Sequence, residues 1–171
     1  MKQYNKTFII YIAVLLITLF ISANLYQVTL VQGNSMVPSY KNMQLAIIDK
    51  RAKTFQCGDV IAFYCPALDC IMIKRIIAVS GDSILITNGD VLVNGVKSPY
   101  ICGTVNFAGT ASKELILGDN QFFVMGDNYA PSKDSRYEEI GCIHLEHILG
   151  LLIPNRSIRH GNNSGQNVVL L

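Results

Sequence analysis

Residues 84–93 read Ile-Leu-Ile-Thr-Asn-Gly-Asp-Val-Leu-Val, and this stretch indicates the fold class. Two apolar runs flank Asn88-Gly89, a dipeptide typical of two-residue β-hairpins because both turn positions need a positive φ. Asn94-Gly95 follows the second run and predicts another turn. The sequence therefore predicts a hairpin with a tight turn at this point of the chain.

Other short apolar runs lie on both sides of this hairpin and are rich in Val, Ile, Phe and Tyr. With the two arms of the hairpin, the predicted strands are Leu45–Ile48, Val60–Tyr64, Ile71–Val79, Ile84–Thr87, Val91–Val93 and Phe122–Met125. There is no internal repeat. We therefore expect a mainly β protein, with one compact sheet or barrel-like domain over residues 26–159 and a polar tail over 160–171.

The N-terminus differs from the rest of the chain. Residues 8–25 read FIIYIAVLLITLFISANL, 18 residues without a charge, which is about the length a helix needs to cross a bilayer. Lys2 and Lys6 precede this run and no Lys or Arg follows until Lys41, so the positive-inside rule places residues 1–7 in the cytoplasm. A cleaved secretory signal peptide is the alternative, but its apolar core is usually shorter. We expect an uncleaved transmembrane helix in the cytoplasmic membrane, contacting lipid, with the β domain on the extracytoplasmic face.

Charge and cysteine content limit the partners and cofactors. A net charge of +2 without a basic cluster argues against nucleic acid. The five cysteines are an odd number, so at least one is unpaired, and Cys65 and Cys70 flank a short turn that predicts a disulfide between them. Cys142, His144 and His147 have a spacing that could suit a metal, but a fourth ligand is not obvious. We expect no metal and no cofactor.

A candidate nucleophile follows the apolar run, in the tight loop Gly-Asn-Ser-Met-Val-Pro-Ser that contains Ser35. A serine nucleophile needs a base, and the three histidines (His144, His147 and His160) cluster near the C-terminus. The loop also lacks the glycine that a nucleophile elbow has two residues after the serine, because Val37 occupies that position. A Ser-His-Asp triad is therefore disfavoured.

Lys74 is the other candidate base, within the predicted strand Ile71–Val79. Alternate residues of a strand share a face, so Lys74 lies beside Met72 and Ile76. Apolar surroundings disfavour the charged amine and lower its pKa, and a neutral amine can accept a proton from a serine hydroxyl. The alternative is a lysine that reaches from a sheet edge into water.

Four stretches, taken in order, resemble the motif boxes of type I signal peptidases. They are NSMVPS in the Ser35 loop, GDVIAF at 58–63, KRIIAVSGDSI at 74–84 and GDNYAPSKDSR at 126–136. By composition alone the last stretch would be only a surface loop. A lysine at position 74 is similar to the bacterial and organellar branch of that family.

The resemblance implies a membrane-bound serine endopeptidase that cleaves N-terminal signal peptides from exported preproteins with a Ser-Lys dyad. Ser35 would be the nucleophile, Lys74 the general base and Ser132 the residue that hydrogen-bonds and orients the lysine amine. The implied supporting residues are a buried ion pair, Asp134 and Arg136, and a loop shaped by Gly126, Asp127 and Asn128. The oxyanion hole would use the Ser35 backbone N–H.

The chain departs from the family pattern at two positions. Gly33 lies where some members carry a serine whose hydroxyl completes the oxyanion hole, so a backbone group would have to serve there. Ala130 lies where some members carry an acidic residue, a position that we expect to be peripheral.

The expected substrate is an extended signal peptide with small residues at an A-x-A-like site. The apolar run Val28–Val31 could pair with it by β-augmentation, and we expect contacts from Val31, Met36, Met72 and Ile73. A relative dedicated to one pilin or one conjugation protein would carry the same residues. A membrane-tethered binding domain is the alternative from another class, but it has no need of Ser35, Lys74 and Ser132 together.

Overall fold

The computed structural model describes residues 2–154, which form one helix followed by a series of short strands. The helix, α1, spans Lys2–Leu25. The strands are β1 (Tyr26–Leu30), β2 (Leu45–Asp49), β3 (Val60–Cys65), β4 (Cys70–Ala78), β5 (Ser83–Thr87), β6 (Asp90–Val93), β7 (Val96–Lys97), β8 (Leu115–Ile116), β9 (Gln121–Met125), β10 (Ile143–His144) and β11 (Ile148–Leu152). Short 3-10 helices lie at Pro66–Leu68, Gly109–Ala111 and Leu145–His147. The tail predicted at 160–171, with His160, lies outside the described residues, as do positions 155–159.

The strand predictions are confirmed, because each of the six predicted runs is a strand whose ends differ by no more than one residue from the prediction. Both predicted turns are also present. Asn88 and Gly89 have φ values of 51° and 82°, and Asn94 and Gly95 have φ values of 51° and 76°. These are the positive values that a type I′ hairpin turn requires.

The sequence did not predict β1, β7, β8, β10 or β11. The last of these lies inside the large sheet, but Gly150 interrupts its apolar pattern and discourages a strand assignment. The register shifts between Ile148 and Gly150, and a Cβ at Gly150 would come within 2.4 Å of the Asp49 carbonyl oxygen. The glycine therefore marks an irregular step where two backbones approach closely.

The strands form two antiparallel sheets. The first has seven strands in the order β1-β2-β11-β3-β4-β9-β10, and the second has four in the order β7-β6-β5-β8. Within residues 2–154 neither order closes on itself, so the barrel-like part of the prediction is not shown. β1 forms one edge of the large sheet and pairs along its whole length with β2.

The core lies on the faces of β3, β4 and β9. One apolar cluster of the large sheet contains four fully buried side chains: Ile61, Phe63, Ile76 and Val124. A second cluster contains Val31, Met36 and Tyr40 together with residues of β2 and β3, and it packs the loop after β1 onto the sheet. A third joins the four-stranded sheet to β4 and β9. The packing therefore fixes β4 and the loop after β1 relative to each other.

The N-terminal helix includes all of the predicted segment 8–25 and begins at Lys2. In the part of the chain that the structure describes, no helix is both long enough and apolar enough to cross a membrane. The helix itself is thus confirmed, and its membrane-spanning role stays a prediction.

Candidate active site

Ser35 lies in a turn after β1 whose base is fixed to the large sheet. The Val31 N–H donates to the Gln44 carbonyl over 2.8 Å, and the Met43 N–H donates to the Val31 carbonyl over the same distance. Val31 and Met36, on either side of Ser35, are both 2% exposed and belong to the core. Packing therefore holds the serine in a defined position at the sheet surface.

Lys74 lies on β4, opposite Ile61 of β3, and its side chain is buried. Its amine donates a hydrogen bond to Ser35 Oγ, with a nitrogen–oxygen distance of 2.7 Å. Burial lowers the pKa of Lys74; the negative charge of Asp134 opposes this shift, and the positive charge of Arg136 adds to it. An amine with a lowered pKa releases its proton more readily and can then accept one from the serine hydroxyl.

Ser132 is also buried, with 1% of its surface exposed, but it does not make the predicted hydrogen bond to the lysine amine. Among the described residues its Oγ has no hydrogen-bonding partner. A Cβ added at Gly126 would lie 2.4 Å from Ser132 Oγ, so the hydroxyl lies close against the Gly126 backbone. The structure brings Ser132 into the site and leaves its hydroxyl unpaired.

Asp134 and Arg136 form a buried ion pair beneath this loop, with Nε–Oδ1 and Nη2–Oδ2 distances of 2.8 and 3.0 Å. Their side chains are 0% and 3% exposed. Arg136 also donates to the carbonyls of Tyr129 and Ser132, over 2.7 and 3.2 Å. Asp134 accepts from the Gly126 N–H over 3.1 Å. The pair therefore connects the backbone on both sides of Ser132.

Asn128 connects the loop 126–128 to the nucleophile turn, which comprises residues 31–39 and contains Ser35. Its backbone N–H donates to the Ser35 carbonyl over 3.0 Å, and its side-chain amide donates to the Asn34 carbonyl over 3.2 Å. Both contacts are to backbone atoms next to the serine hydroxyl. Asn128 therefore restrains the residue that carries Oγ.

Arg75 connects the same loop to β4, and the sequence interpretation gave this residue no role. It donates two hydrogen bonds to Asp127, each over 2.7 Å, and further bonds to the Gly58 carbonyl and to Ser39 Oγ. Arg75 directly follows Lys74, so the ion pair holds the loop against the strand that carries the lysine. The sequence signal that could have revealed this role was a charged residue within a predicted buried strand, because a buried charge requires a partner of opposite sign.

A cavity of about 570 Å³ opens beside the serine and the lysine. It includes all four residues predicted to contact substrate: Val31, Met36, Met72 and Ile73. The rest of its wall consists of Thr29 and Leu30 of β1, residues 32–35 of the nucleophile turn, and Cys70, Ile71, Lys74, Pro131 and Lys133. The cavity lies between the edge strand β1 and β4, with Ser35 and Lys74 together in its wall.

The oxyanion hole was predicted to use backbone groups at Ser35 and at Gly33, and the structure leaves the Ser35 N–H available for this role. No hydrogen bond of the Ser35 N–H is found within the described residues, so this group can donate to a ligand. The Gly33 N–H instead donates to Asn42 Oδ1 over 2.9 Å. The loop therefore uses the Gly33 N–H internally in this geometry, and the backbone group that completes the oxyanion hole at this position stays a prediction.

Among the described cysteine and histidine residues, Cys70 is the one that lies in the cavity wall. All five cysteines are free, so the predicted Cys65–Cys70 disulfide is wrong. The two residues oppose each other on β3 and β4, but Cys65 is packed in the core while Cys70 is exposed. Within residues 2–154 no group of three His, Cys, Asp or Glu side chains is placed to hold a metal ion, and the cavity wall contains no histidine.

Comparison with known proteins identifies the family. The family described as signal peptidase, peptidase S26, matches residues 2–153. This chain belongs to that family. It is 30% identical to signal peptidase I U of Bacillus subtilis over 148 residues, or 79% of each chain, and 30% identical to signal peptidase IB of Staphylococcus aureus over 172 aligned positions, or 88% of each chain. A crystal structure of a signal peptidase I from Enterococcus faecalis is 26% identical and covers 59% of this chain and 98% of its own, with a TM-score of 0.49.

Membership of this family makes the chain a serine peptidase, a hydrolase of the signal peptidase I type. It also supports signal peptides as the substrates. The proximity of Ser35 and Lys74 is an observation of the structure.

The close approach of the Gly126 backbone to the nucleophile turn leads to a prediction. A Cβ at this position would lie 2.5 Å from the Ser35 carbonyl oxygen and 2.7 Å from Ser132 Cβ, although the backbone of Gly126 lies outside the left-handed region. We expect Gly126→Ala to push the serine turn away and to lower kcat/KM on a signal-peptide substrate by about 100-fold, because misplaced reacting groups cost rate.

Gly118→Ala is the matched control for this substitution. Its backbone is also outside the left-handed region, and the nearest atom to its Cβ would be Gln121 Oε1 at 3.3 Å, which can move. We expect near-normal activity from Gly118→Ala. Circular dichroism and thermal unfolding would show that both variants are folded, and a folded Gly126→Ala enzyme with full activity would contradict the proposed close fit.

Proposed function

We propose that this signal peptidase is a membrane-bound endopeptidase that cleaves preproteins with a Ser35–Lys74 dyad. The observation that carries the proposal is the 2.7 Å contact between a buried lysine amine and the serine hydroxyl, at the wall of a cavity without histidine. A serine nucleophile needs a base within hydrogen-bond reach, and Lys74 is the titratable group in contact with it.

The reaction begins with Lys74 neutral. The amine accepts the Ser35 hydroxyl proton as Oγ attacks the carbonyl carbon of the scissile peptide bond. The oxygen of the tetrahedral intermediate takes the negative charge and accepts a hydrogen bond from the Ser35 N–H. Collapse of the intermediate breaks the C–N bond, and the Lys74 ammonium donates its proton to the leaving amine.

The signal peptide is then an ester of Ser35 Oγ. Neutral Lys74 accepts a proton from a water molecule, which attacks the ester carbonyl. Breakdown of this second intermediate returns the proton to Oγ and releases the signal peptide with a free carboxylate. The lysine ends each turnover neutral, as it began.

The supporting residues act by fixing these two groups. Asn128 holds the backbone at Ser35, and Asp127 holds the same loop to Arg75 beside the lysine. The buried pair of Asp134 and Arg136 fixes the chain around Ser132. In our proposal Ser132 Oγ aims the lysine amine only in the substrate complex, since catalytic hydrogen bonds are often long or poorly aligned without substrate.

Substrate binding is proposed to use the free edge of β1. That strand pairs only with β2 within the described sheet, so its other edge can receive an extended peptide by β-augmentation. The cavity contacts Val31, Met36, Met72 and Ile73 would then enclose small residues at A-x-A-like positions before the cleaved bond. Restricted space around the acyl group would select against large side chains.

Membrane attachment is proposed from the character of α1. Large apolar side chains from Phe8 to Phe20 are exposed, the least of them 41% and the most 72%. A helix that is apolar all round belongs in a protein core or in a membrane. Ser35 follows the end of this helix at Leu25 by ten residues, and this short separation supports a cavity near a bilayer surface, where signal-peptide cleavage sites emerge.

The dyad is tested by measuring kcat/KM on one synthetic signal-peptide substrate. Ser35→Ala and Lys74→Met should abolish turnover and leave the domain folded. In the parent enzyme kcat/KM should increase with pH through the lowered pKa of Lys74, because only the unprotonated amine can act as base. An active Lys74→Met enzyme would contradict the mechanism.

His144→Ala and His147→Ala are the controls in the same assay, and both should retain near-normal rates. Ser132→Ala separates stability from catalysis. It removes a buried hydroxyl without a partner, so the free energy of unfolding should stay equal or increase. Activity should nevertheless fall, and full activity in this variant would remove Ser132 from the proposal.

The proposed topology is tested on cells that express the full chain. With residues 1–7 inside and the β domain outside, protease added to intact spheroplasts should digest the domain. A cytoplasmic protein in the same sample must stay intact as the control. Protection of the domain until the cells are lysed would contradict the proposed orientation.

A further inference from the structure

Lys133 is a cation in the wall of the active-site cavity, and the proposed mechanism gives it no role. It directly follows Ser132 in the loop that supports the dyad, and its side chain is 46% exposed. Lys74, the other amine of the wall, is buried and acts in its neutral form in the proposed reaction. Lys133 therefore supplies the permanent positive charge of the cavity wall.

The partner of this lysine within the chain is Glu139, which lies outside the cavity wall. The hydrogen bond to Glu139 raises the pKa of Lys133, so the amine stays charged at neutral pH. Both side chains are about half exposed, and an exposed ion pair contributes little net free energy because water competes for both charges. Lys133 can therefore exchange Glu139 for a carboxylate of a ligand at small cost.

The wall offers no carboxylate that would neutralise this charge. Among the described residues that form it there is no Asp or Glu. Asp69, directly before the wall residue Cys70, accepts a hydrogen bond from the Tyr64 hydroxyl over 2.7 Å and is not part of the wall. A cleft lined by one sign of charge attracts the opposite sign. The cavity therefore favours an acidic group in a bound peptide and disfavours a basic one.

The Lys133 ammonium lies toward the end of the cavity that is remote from the dyad. It interacts electrostatically with Cys65, which pairs with Cys70 across β3 and β4. Cys70 precedes Lys74 by four residues, or about 13 Å along an extended strand. In the proposed complex the A-x-A-like positions lie beside Met72, so earlier residues of the signal peptide lie toward Cys70. Extended spacing brings the residues about four to six before the cleaved bond to this ammonium, and we refer to them as the upstream segment.

We propose that Lys133 is a specificity-determining residue that binds an acidic side chain, Asp or Glu, in the upstream segment of the preprotein. The inference rests on the cleavage site proposed above and adds the class of side chain that this site selects. The substrate carboxylate replaces Glu139 on the ammonium, whereas a Lys or Arg in the same segment is repelled by it. Selection therefore includes the sequence that precedes the A-x-A-like positions.

The test uses the full-length enzyme in a non-ionic detergent and synthetic peptides that share one A-x-A site. At each of the three positions of the upstream segment, one peptide carries Asp, one Asn and one Lys. At the position that reaches Lys133 we expect kcat/KM about fivefold higher for the Asp peptide than for the Asn peptide, the upper range for an exposed ion pair, and lowest for the Lys peptide. Equal values for the three peptides at every position would overturn the inference.

Lys133→Glu tests the assignment most sharply because it reverses the charge. In this variant kcat/KM should be higher for the Lys peptide than for the Asp peptide, and Lys133→Gln should make the two about equal. Each comparison is a ratio within one enzyme preparation, so a lower yield of folded variant does not affect it. A folded Lys133→Glu enzyme that keeps the parental order would overturn the inference.

Lys113→Glu is the matched control, since it makes the same change of charge at an exposed site outside the cavity wall. It should keep the parental order of the three peptides. A reversal equal to that of Lys133→Glu would assign the effect to the net charge of the protein and would contradict the proposed contact.

Glu139→Gln tests the exchange of partners. Without the internal competitor, the ratio of the Asp to the Asn peptide should increase, and its loss in a folded Glu139→Gln enzyme would contradict the exchange. Salt at about 1 M should reduce the preference for Asp in the parent enzyme, because the screening length falls to about 3 Å. A preference that persists at this salt concentration would contradict an ion pair.

Failure of this inference differs from failure of the proposed function. An enzyme that cleaves none of the peptides would contradict the proposed cleavage itself. Cleavage at the A-x-A site with the same peptide ratios in the parent and in Lys133→Glu would contradict only the role of Lys133.

Discussion

The central constraint on this structure is the contact between a buried amine and a serine hydroxyl. Removing Lys74 from water disfavours its charged form, and its amine nevertheless lies 2.7 Å from Ser35 Oγ. A charged lysine would be costly in this position unless paired, whereas a neutral one fits and can act as a base. The environment that makes the lysine unusual is therefore also the source of its proposed chemistry.

Two segments distant in sequence hold that contact together. The nucleophile turn packs on the core through Val31 and Met36, and β4 carries the lysine between β3 and β9. The loop 126–128 joins the two, since Asn128 binds backbone at the serine and Asp127 binds Arg75 next to the lysine. Small displacements of this loop would alter the distance between hydroxyl and amine, and this is the physical basis of the loss of activity expected from Gly126→Ala.

Features of the fold that depend on local sequence could be predicted from it. The Asn88-Gly89 turn and the six apolar strands follow from backbone preferences and from the period of two, and the structure confirms them. The strand around Gly150 could not be predicted, because its glycine serves a close approach to Asp49 that only the folded sheet creates. Ordered motifs led to the site residues, to Lys74 as the partner of Ser35 and to the Asp134–Arg136 pair, but not to the other contacts. The unpaired hydroxyl of Ser132, the Gly33 N–H bound to Asn42 and the Arg75–Asp127 pair depend on distances between segments that the sequence does not contain.

The protonation state of Lys74 tests the account most directly. Nuclear magnetic resonance of protein labelled with isotopes in its lysine side chains would follow the titration of this amine, with its signal assigned from Lys74→Met. The account predicts that the pKa of Lys74 lies below the ordinary lysine value of about 10.4, because burial disfavours the charged amine. A Lys74 amine that stays charged up to that ordinary value in the folded enzyme would contradict it.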